Sequence, residues 1–179
     1  MKYFSINELT SSATALREGI DNRPSKCAYH LLHVLVDQLL DPLREAWGEP
    51  IVVSSGYRCK QLNTIIGGVK NSHHILGCAA DIIAGSRSDH RRLFRLIVRM
   101  QQEGQIRFTQ LIAEKDYRWL HISYVPGMLR NQIIDVNINE NDNCRSEGKR
   151  SEAQLTSALT LSLEEKSTST LKKVYQDSG

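Results

Sequence analysis

Past Asn137 the sequence changes character, and that change limits what the chain can fold into. From there to Gly179 it is rich in Ser, Thr, Glu, Lys and Asn, and Tyr175 is its one aromatic residue. Such a segment has too little apolar surface to offset the entropy lost on ordering. Residues 137–179 are therefore expected to form a largely disordered polar tail, with a transient helix near Ala153 to Leu163. What folds is residues 1–136, enough for one domain with a hydrophobic core and too little for two. Of the 23 basic and 20 acidic residues, 17 and 13 lie in that domain and 6 and 7 in the tail, so the basic excess behind the small formal charge of +3 belongs to the folded part.

Within the domain, short strand-like runs alternate with helical patterns. From Ser25 to about Trp47, Ala28, Leu31, Leu32, Leu35, Leu39, Leu43 and Ala46 recur at three- and four-residue steps, the period of a helix with one buried face. Pro24 is placed to open this helix, and Pro42 predicts a kink or break near Leu40-Asp41. Ile51 to Ser55 reads as a short strand running into Gly56, and Lys60 to Ile66 as a short helix broken by Gly67-Gly68. Ala79 to Ile83 is a second, buried strand. Ser88 is positioned to cap a helix through about Gln102, with Leu93, Phe94, Ile97, Val98 and Met100 inward and Arg91, Arg92, Arg95 and Arg99 outward. Phe108 to Ala113 and Trp119 to Tyr124 predict an antiparallel hairpin, and Gln132 to Val136 a last strand. The fold class expected is α+β, a small, mainly antiparallel sheet packed by helices.

The stretch Ser72-His73-His74-Ile75-Leu76-Gly77-Cys78-Ala79-Ala80-Asp81 carries the chemistry. A loop histidine precedes a glycine and small residues, and an aspartate follows as the strand begins. Gly77, Ala79 and Ala80 let the backbone pass close to a bulky neighbour and let His74 and Asp81 turn toward a common point. His121 alternates with Leu120 and Ile122 and so faces the other side of its strand. A histidine among apolar neighbours needs a polar partner, and a metal is one way to supply it. Two imidazoles and one carboxylate suit Zn²⁺. Three protein ligands leave a fourth position open, the pattern of a catalytic zinc site.

On these residues the sequence resembles the zinc D-Ala-D-Ala carboxypeptidase family, a group of peptidoglycan peptidases that shares its fold with the hedgehog signalling domain. Ser72, His74, Gly77, Ala79 and Asp81 meet the pattern Ser-x-His-x-x-Gly-x-Ala-x-Asp, and Trp119, His121 and Ser123 meet Trp-x-His-x-Ser. Ser55-Gly56-Tyr57-Arg58, Leu62-Asn63 and Gly67-Gly68 match earlier elements. Phe4 to Leu9 and Leu40 to Arg44 are similar to short phage- or prophage-type members, so the match runs in order from residue 3 to 136.

The resemblance implies one zinc per chain on His74, Asp81 and His121, with peptidoglycan peptides as substrate. Ser72, Tyr57 and Arg58 are implied to contact substrate, Arg58 from the rim, where its fork of donors suits a terminal carboxylate or the scissile carbonyl. Many relatives place an acid three residues before the last histidine. Here that position is Arg118, so the general base is expected to be Glu114, ahead of Asp116. His73 sits where relatives often carry glutamine and is expected either to hydrogen-bond near the site or to be an exposed loop side chain. His30, His33 and His90 receive no role.

The alternative is a non-catalytic module that binds wall peptide or protein on the same fold, and the missing acid at Arg118 is its support. Nucleic-acid binding through the arginine-bearing helix is disfavoured by the small charge and the lack of interleaved aromatic residues. The four cysteines (Cys27, Cys59, Cys78, Cys144) form no CxxC pair or Cys/His ladder, which predicts reduced thiols. Glu8 interrupts the N-terminus before any apolar run, so neither a signal peptide nor a membrane span is expected. Action at the cell wall would then require release, for example by a pore-forming partner.

Overall fold

A computed structural model describes residues Met1–Asn137. The expected polar tail and its transient helix, with Cys144, lie outside the described residues apart from Asn137 itself. The described chain is an α+β unit around one five-stranded sheet, ordered β1-β2-β4-β3-β5. The strands are β1 (Val52–Ser55), β2 (Ala79–Ile83), β3 (Gln110–Ala113), β4 (Leu120–Ser123) and β5 (Gln132–Asp135). Every neighbouring pair is antiparallel except β3 and β5, which run parallel.

One face of this sheet is covered by helices. Leu32, Leu35, Leu39, Leu40 and Leu43 from one side and Leu93, Ile97 and Met100 from another pack against Ala80, Ile82, Leu111, Leu120 and Ile122. The helical stretch after Ser25 is α3 (Lys26–Leu35), a π-helical turn (Val36–Leu40) and α4 (Asp41–Trp47). Pro42 sits in the first turn of α4 and has no N–H to return to the preceding turn. The ladder widens there, and the Asp41 N–H bonds the Val36 carbonyl, five residues back. The expected kink is thus a π-bulge. Pro24, expected to open the helix, instead precedes the cap: the Ser25 side chain accepts from the Ala28 N–H.

The second long helix, α7 (Arg87–Gln102), begins earlier than Ser88 predicted. Ser86 is its cap, in a reciprocal capping box with Asp89. Arg91, Arg92, Arg95 and Arg99 are exposed. Arg91 lies 5.0 Å over the Tyr117 ring and Arg92 lies 5.2 Å over Trp47.

Two short N-terminal helices, α1 (Ile6–Thr10) and α2 (Ala13–Arg17), were not expected from periodicity. Each is set by a serine cap, Ser5 with Glu8 for α1 and Ser12 for α2. α1 buries Leu9 completely. Its Leu9 carbonyl accepts the Tyr57 N–H at 2.6 Å. A Cβ at Gly56 would fall 2.2 Å from that same oxygen, so the close approach of α1 to the turn after β1 requires glycine. No helix among the described residues is long and apolar enough to cross a membrane.

Candidate metal centre and its cleft

The face of the sheet away from the core carries the site, and strand alternation explains which residues reach it. On β4, Leu120 and Ile122 are fully buried in the core, which turns Trp119, His121 and Ser123 to the other side. On β3 the same logic separates Leu111 and Ala113 from Gln110, Ile112 and, at the strand's end, Glu114. On β2 it separates Ala80 and Ile82 from Asp81. Register then lines up one row across the whole sheet: Ser55, Asp81, His121, Ile112 and Ile134. Ser55 joins the row because β1 bulges between Val53 and Ser55. The bulge re-aims the residue, whose hydroxyl accepts from Arg58.

His74 arrives from outside the sheet. Expected in a loop, it lies in a one-turn helix, α6 (His73–Leu76), because Ser72 caps the turn and its hydroxyl accepts the His74 N–H at 3.3 Å. Gly77 ends the turn at φ +76, with a Cβ there only 2.5 Å from the Ala28 carbonyl of α3. The small residues after His74 therefore seat α6 against α3 and β2.

The three side chains converge. His74 Nε2 lies 3.2 Å from Asp81 Oδ1 and 3.2 Å from His121 Nδ1, and His121 Nδ1 lies 2.9 Å from Asp81 Oδ1. His74 Nδ1 lies 2.7 Å from the Gly56 carbonyl, which can only accept. Nδ1 therefore carries the proton, and the Nε2 lone pair points at its two neighbours. Asp81 Oδ2 accepts from Arg58 Nη2 at 2.5 Å, leaving Oδ1 for the centre. A lone pair, a carboxylate oxygen and a second imidazole nitrogen facing one another repel unless something positive lies between them. A single proton bridges two of them, whereas one cation satisfies all three. The donor set fits a divalent metal, and these atoms lie within 4.8 Å of one another.

Electrostatics agree with His74 and Asp81 held deprotonated. Burial lowers the His74 pKa, and the hydrogen bond to Asp81 only partly opposes this. For Asp81, burial raises the pKa, but hydrogen bonds and charge from His121 and His74 outweigh it and hold the carboxyl well below its usual range.

The other expected residues separate into groups. Arg58 lines the cleft, but its guanidinium is engaged with Asp81 and, through Nε at 2.8 Å, with the Ser55 hydroxyl. It therefore orients the Asp81 carboxylate from the wall of the cleft. Ser72 also lines the cleft, with its hydroxyl committed to capping α6. Tyr57 does not line it; its ring packs in the core cluster. Glu114 is half-buried and lines the cleft beside Trp119 and His121. Asp116 is exposed, in the short 3-10 turn Lys115–Tyr117, and is absent from the lining. His73 also lines the cleft, with its Nδ1 3.1 Å from the Ser123 hydroxyl.

Three supports escaped sequence reasoning. The Gly56 carbonyl orients His74, as given above. Asn22 ties the turn after β1 to α1, donating to the Thr10 and Tyr57 carbonyls and accepting the Cys59 N–H. Asn63 is 2% exposed, and its side chain donates to the Val69 carbonyl at 3.0 Å while its own carbonyl accepts the Gly68 N–H. Asn63 thereby folds the Gly67–Val69 loop over the cleft. At Gly68 a Cβ would meet the Asn63 Oδ1 at 2.3 Å, which explains why the Leu-Asn and Gly-Gly pairs occur together.

A family model described as Peptidase M15 matches residues 2–123. The chain is also similar to the zinc D-Ala-D-Ala carboxypeptidase of Streptomyces albus G, with 45% identity over 49 residues. That stretch covers 27% of this chain and 19% of the relative, so the match spans about a fifth of the relative's length.

Proposed function

Since the chain belongs to the peptidase M15 family, we propose that it is a zinc metallopeptidase acting on the peptides of bacterial peptidoglycan. The observation that carries this reading is the convergence of His74, Asp81 and His121 on one point of a cleft that Glu114 also lines. His74 Nε2, Asp81 Oδ1 and His121 Nδ1 would hold the zinc, in keeping with the relative's name. Zinc at such a site supplies a Lewis acid for the scissile carbonyl and lowers the pKa of water to about 7.

The chain's own residues do the rest. The Gly56 carbonyl fixes the His74 tautomer, and Arg58 fixes Asp81; such outer partners commonly govern metal affinity. Glu114 takes a proton from the attacking water and returns it to the leaving amine. Arg58 uses two of its five N–H groups on Ser55 and Asp81 and keeps others for a substrate carboxylate or carbonyl. Trp119, Ile112 and Val69 contribute apolar side chains to the cleft wall.

The test is to incubate the zinc-loaded chain with a peptide ending in D-Ala-D-Ala and with cross-linked peptidoglycan, and to identify products by mass spectrometry. Release of free D-Ala marks a carboxypeptidase, and a cut inside the stem or cross-bridge marks an endopeptidase. Bound zinc with no product from either substrate would overturn the peptidase reading in favour of a binding module.

A further inference from the structure

The turn between β3 and β4 has an unusual backbone. Asp116 and Tyr117 adopt φ values of +59 and +50, the left-handed region that non-glycine residues enter at a cost. Two such residues in succession persist only when their surroundings over-determine them. This turn follows directly on Glu114, whose carbonyl accepts the Tyr117 N–H at 2.8 Å and whose N–H bonds the Trp119 carbonyl at 3.2 Å. Any slack in it moves Glu114.

What over-determines the turn comes from the end of β5 and from α7. Asn137 Oδ1 accepts the Asp116 N–H at 2.5 Å, and its amide nitrogen lies 3.1 Å from the Glu114 carbonyl and 3.4 Å from the Ala113 carbonyl. The same nitrogen lies 2.9 Å from Asp135 Oδ1, which also accepts the Asn137 backbone N–H at 2.9 Å. Asp135 Oδ2 accepts the Tyr117 hydroxyl. From α7, His90 Nδ1 lies 2.6 Å from the Tyr117 carbonyl and must donate to it. The Phe94 ring meets the Tyr117 ring edge-on at 6.0 Å between centroids. One side-chain amide thus serves the backbone before, at and after Glu114, and one carboxylate joins that amide to the tyrosine.

We infer that Asn137, acting with Asp135 and Tyr117, is the positioning clamp that fixes Glu114 for proton transfer. The inference rests on reading Glu114 as the base. None of the three lines the cleft, so none is placed to touch substrate. Their effect falls on where the carboxylate sits, and a misplacement of about 1 Å can cost about 100-fold in rate.

The experiment uses the zinc-loaded full chain. Turnover of a peptidoglycan peptide, zinc content and amide hydrogen exchange over residues 113–119 are measured for Asn137→Ala, Tyr117→Phe and Glu114→Ala. The expected result for Asn137→Ala is a kcat lower by about 10- to 100-fold, with KM and zinc unchanged. Exchange at Asp116 should speed up, and the acidic limb of the pH–rate profile should move. Tyr117→Phe keeps the ring packing and should move each readout the same way by less. Wild-type kcat and exchange in both variants, or a loss confined to KM, overturns the clamp. Should Asn137→Ala not fold, Tyr117→Phe decides by the same criteria. Wild-type turnover in Glu114→Ala would overturn the reading of Glu114 as base, and the exchange rates would then decide separately whether Asn137 fixes the turn.

Discussion

The metal centre and the turn that carries Glu114 lie at neighbouring positions on one sheet, yet they are held by different means. Asp81 and His121 are opposite one another in paired strands, and His74 comes from a helical turn wedged against α3. All three rest on regular backbone with fully buried core residues beneath. The Lys115–Tyr117 turn, exposed at Lys115 and Asp116, runs through left-handed conformations and depends on single side chains for its shape. Sheet register fixes atoms against a deep core. A turn held by a few hydrogen bonds can be altered by removing one of them. On the proposed roles, His74, Asp81 and His121 should therefore tolerate changes around them better than Glu114 does.

The largest effect should come from cutting the regular half. His74→Ala removes one of three converging ligands, and the purified variant should contain no zinc by elemental analysis and show no turnover. Glu114→Ala should keep a full complement of zinc while turnover falls by about 10²- to 10⁴-fold, the range for loss of a general base. Comparing zinc content in these two variants separates the metal from the proton-transfer group. Arg58→Gln leaves the ligands in place but removes the charged partner of Asp81, and a chelator titration should find zinc affinity weakened by about 10- to 100-fold. The smallest effect belongs to Asp116→Asn, which keeps a side chain tolerant of left-handed backbone and stays clear of the cleft. Its stability in a denaturant titration should stay within about 0.5 kcal/mol of the parent. A large loss of turnover in that variant would reverse the choice between the two acids.

Sequence patterns carried the regular half well. Alternation around His121, the apolar run of β2 and the hairpin were legible because periods of two residues are printed in the order of side chains. The helical face from Ala28 to Leu43 and its break at Pro42 were legible for the same kind of reason. What escaped depends on backbone atoms or on distant pairings. The Gly56 carbonyl that orients His74 leaves no mark in the side-chain pattern. Arg58 and Asp81 are 23 residues apart, and the bulge in β1 sets Ser55 opposite Asp81. Tyr57 sits beside Arg58 in the chain but turns the other way into the core, a distinction a motif does not make. Ser88 and Ser86 are both good caps by type, and Asp89 decided between them.

One feature of the sheet bears on the order in which the molecule is completed. β5 is parallel to β3 and reaches it from β4 only by passing over the start of β3. The crossing segment, residues 124–131, is tied there by bonds from the Val125 N–H to the Thr109 hydroxyl and from the Phe108 N–H to the Asn131 side chain. A growing chain has all three ligands once β4 has formed, but it cannot seat Asn137 until this strap has closed. On the proposed reading, such a chain would be able to hold its ion before Asn137 has fixed the turn that carries Glu114.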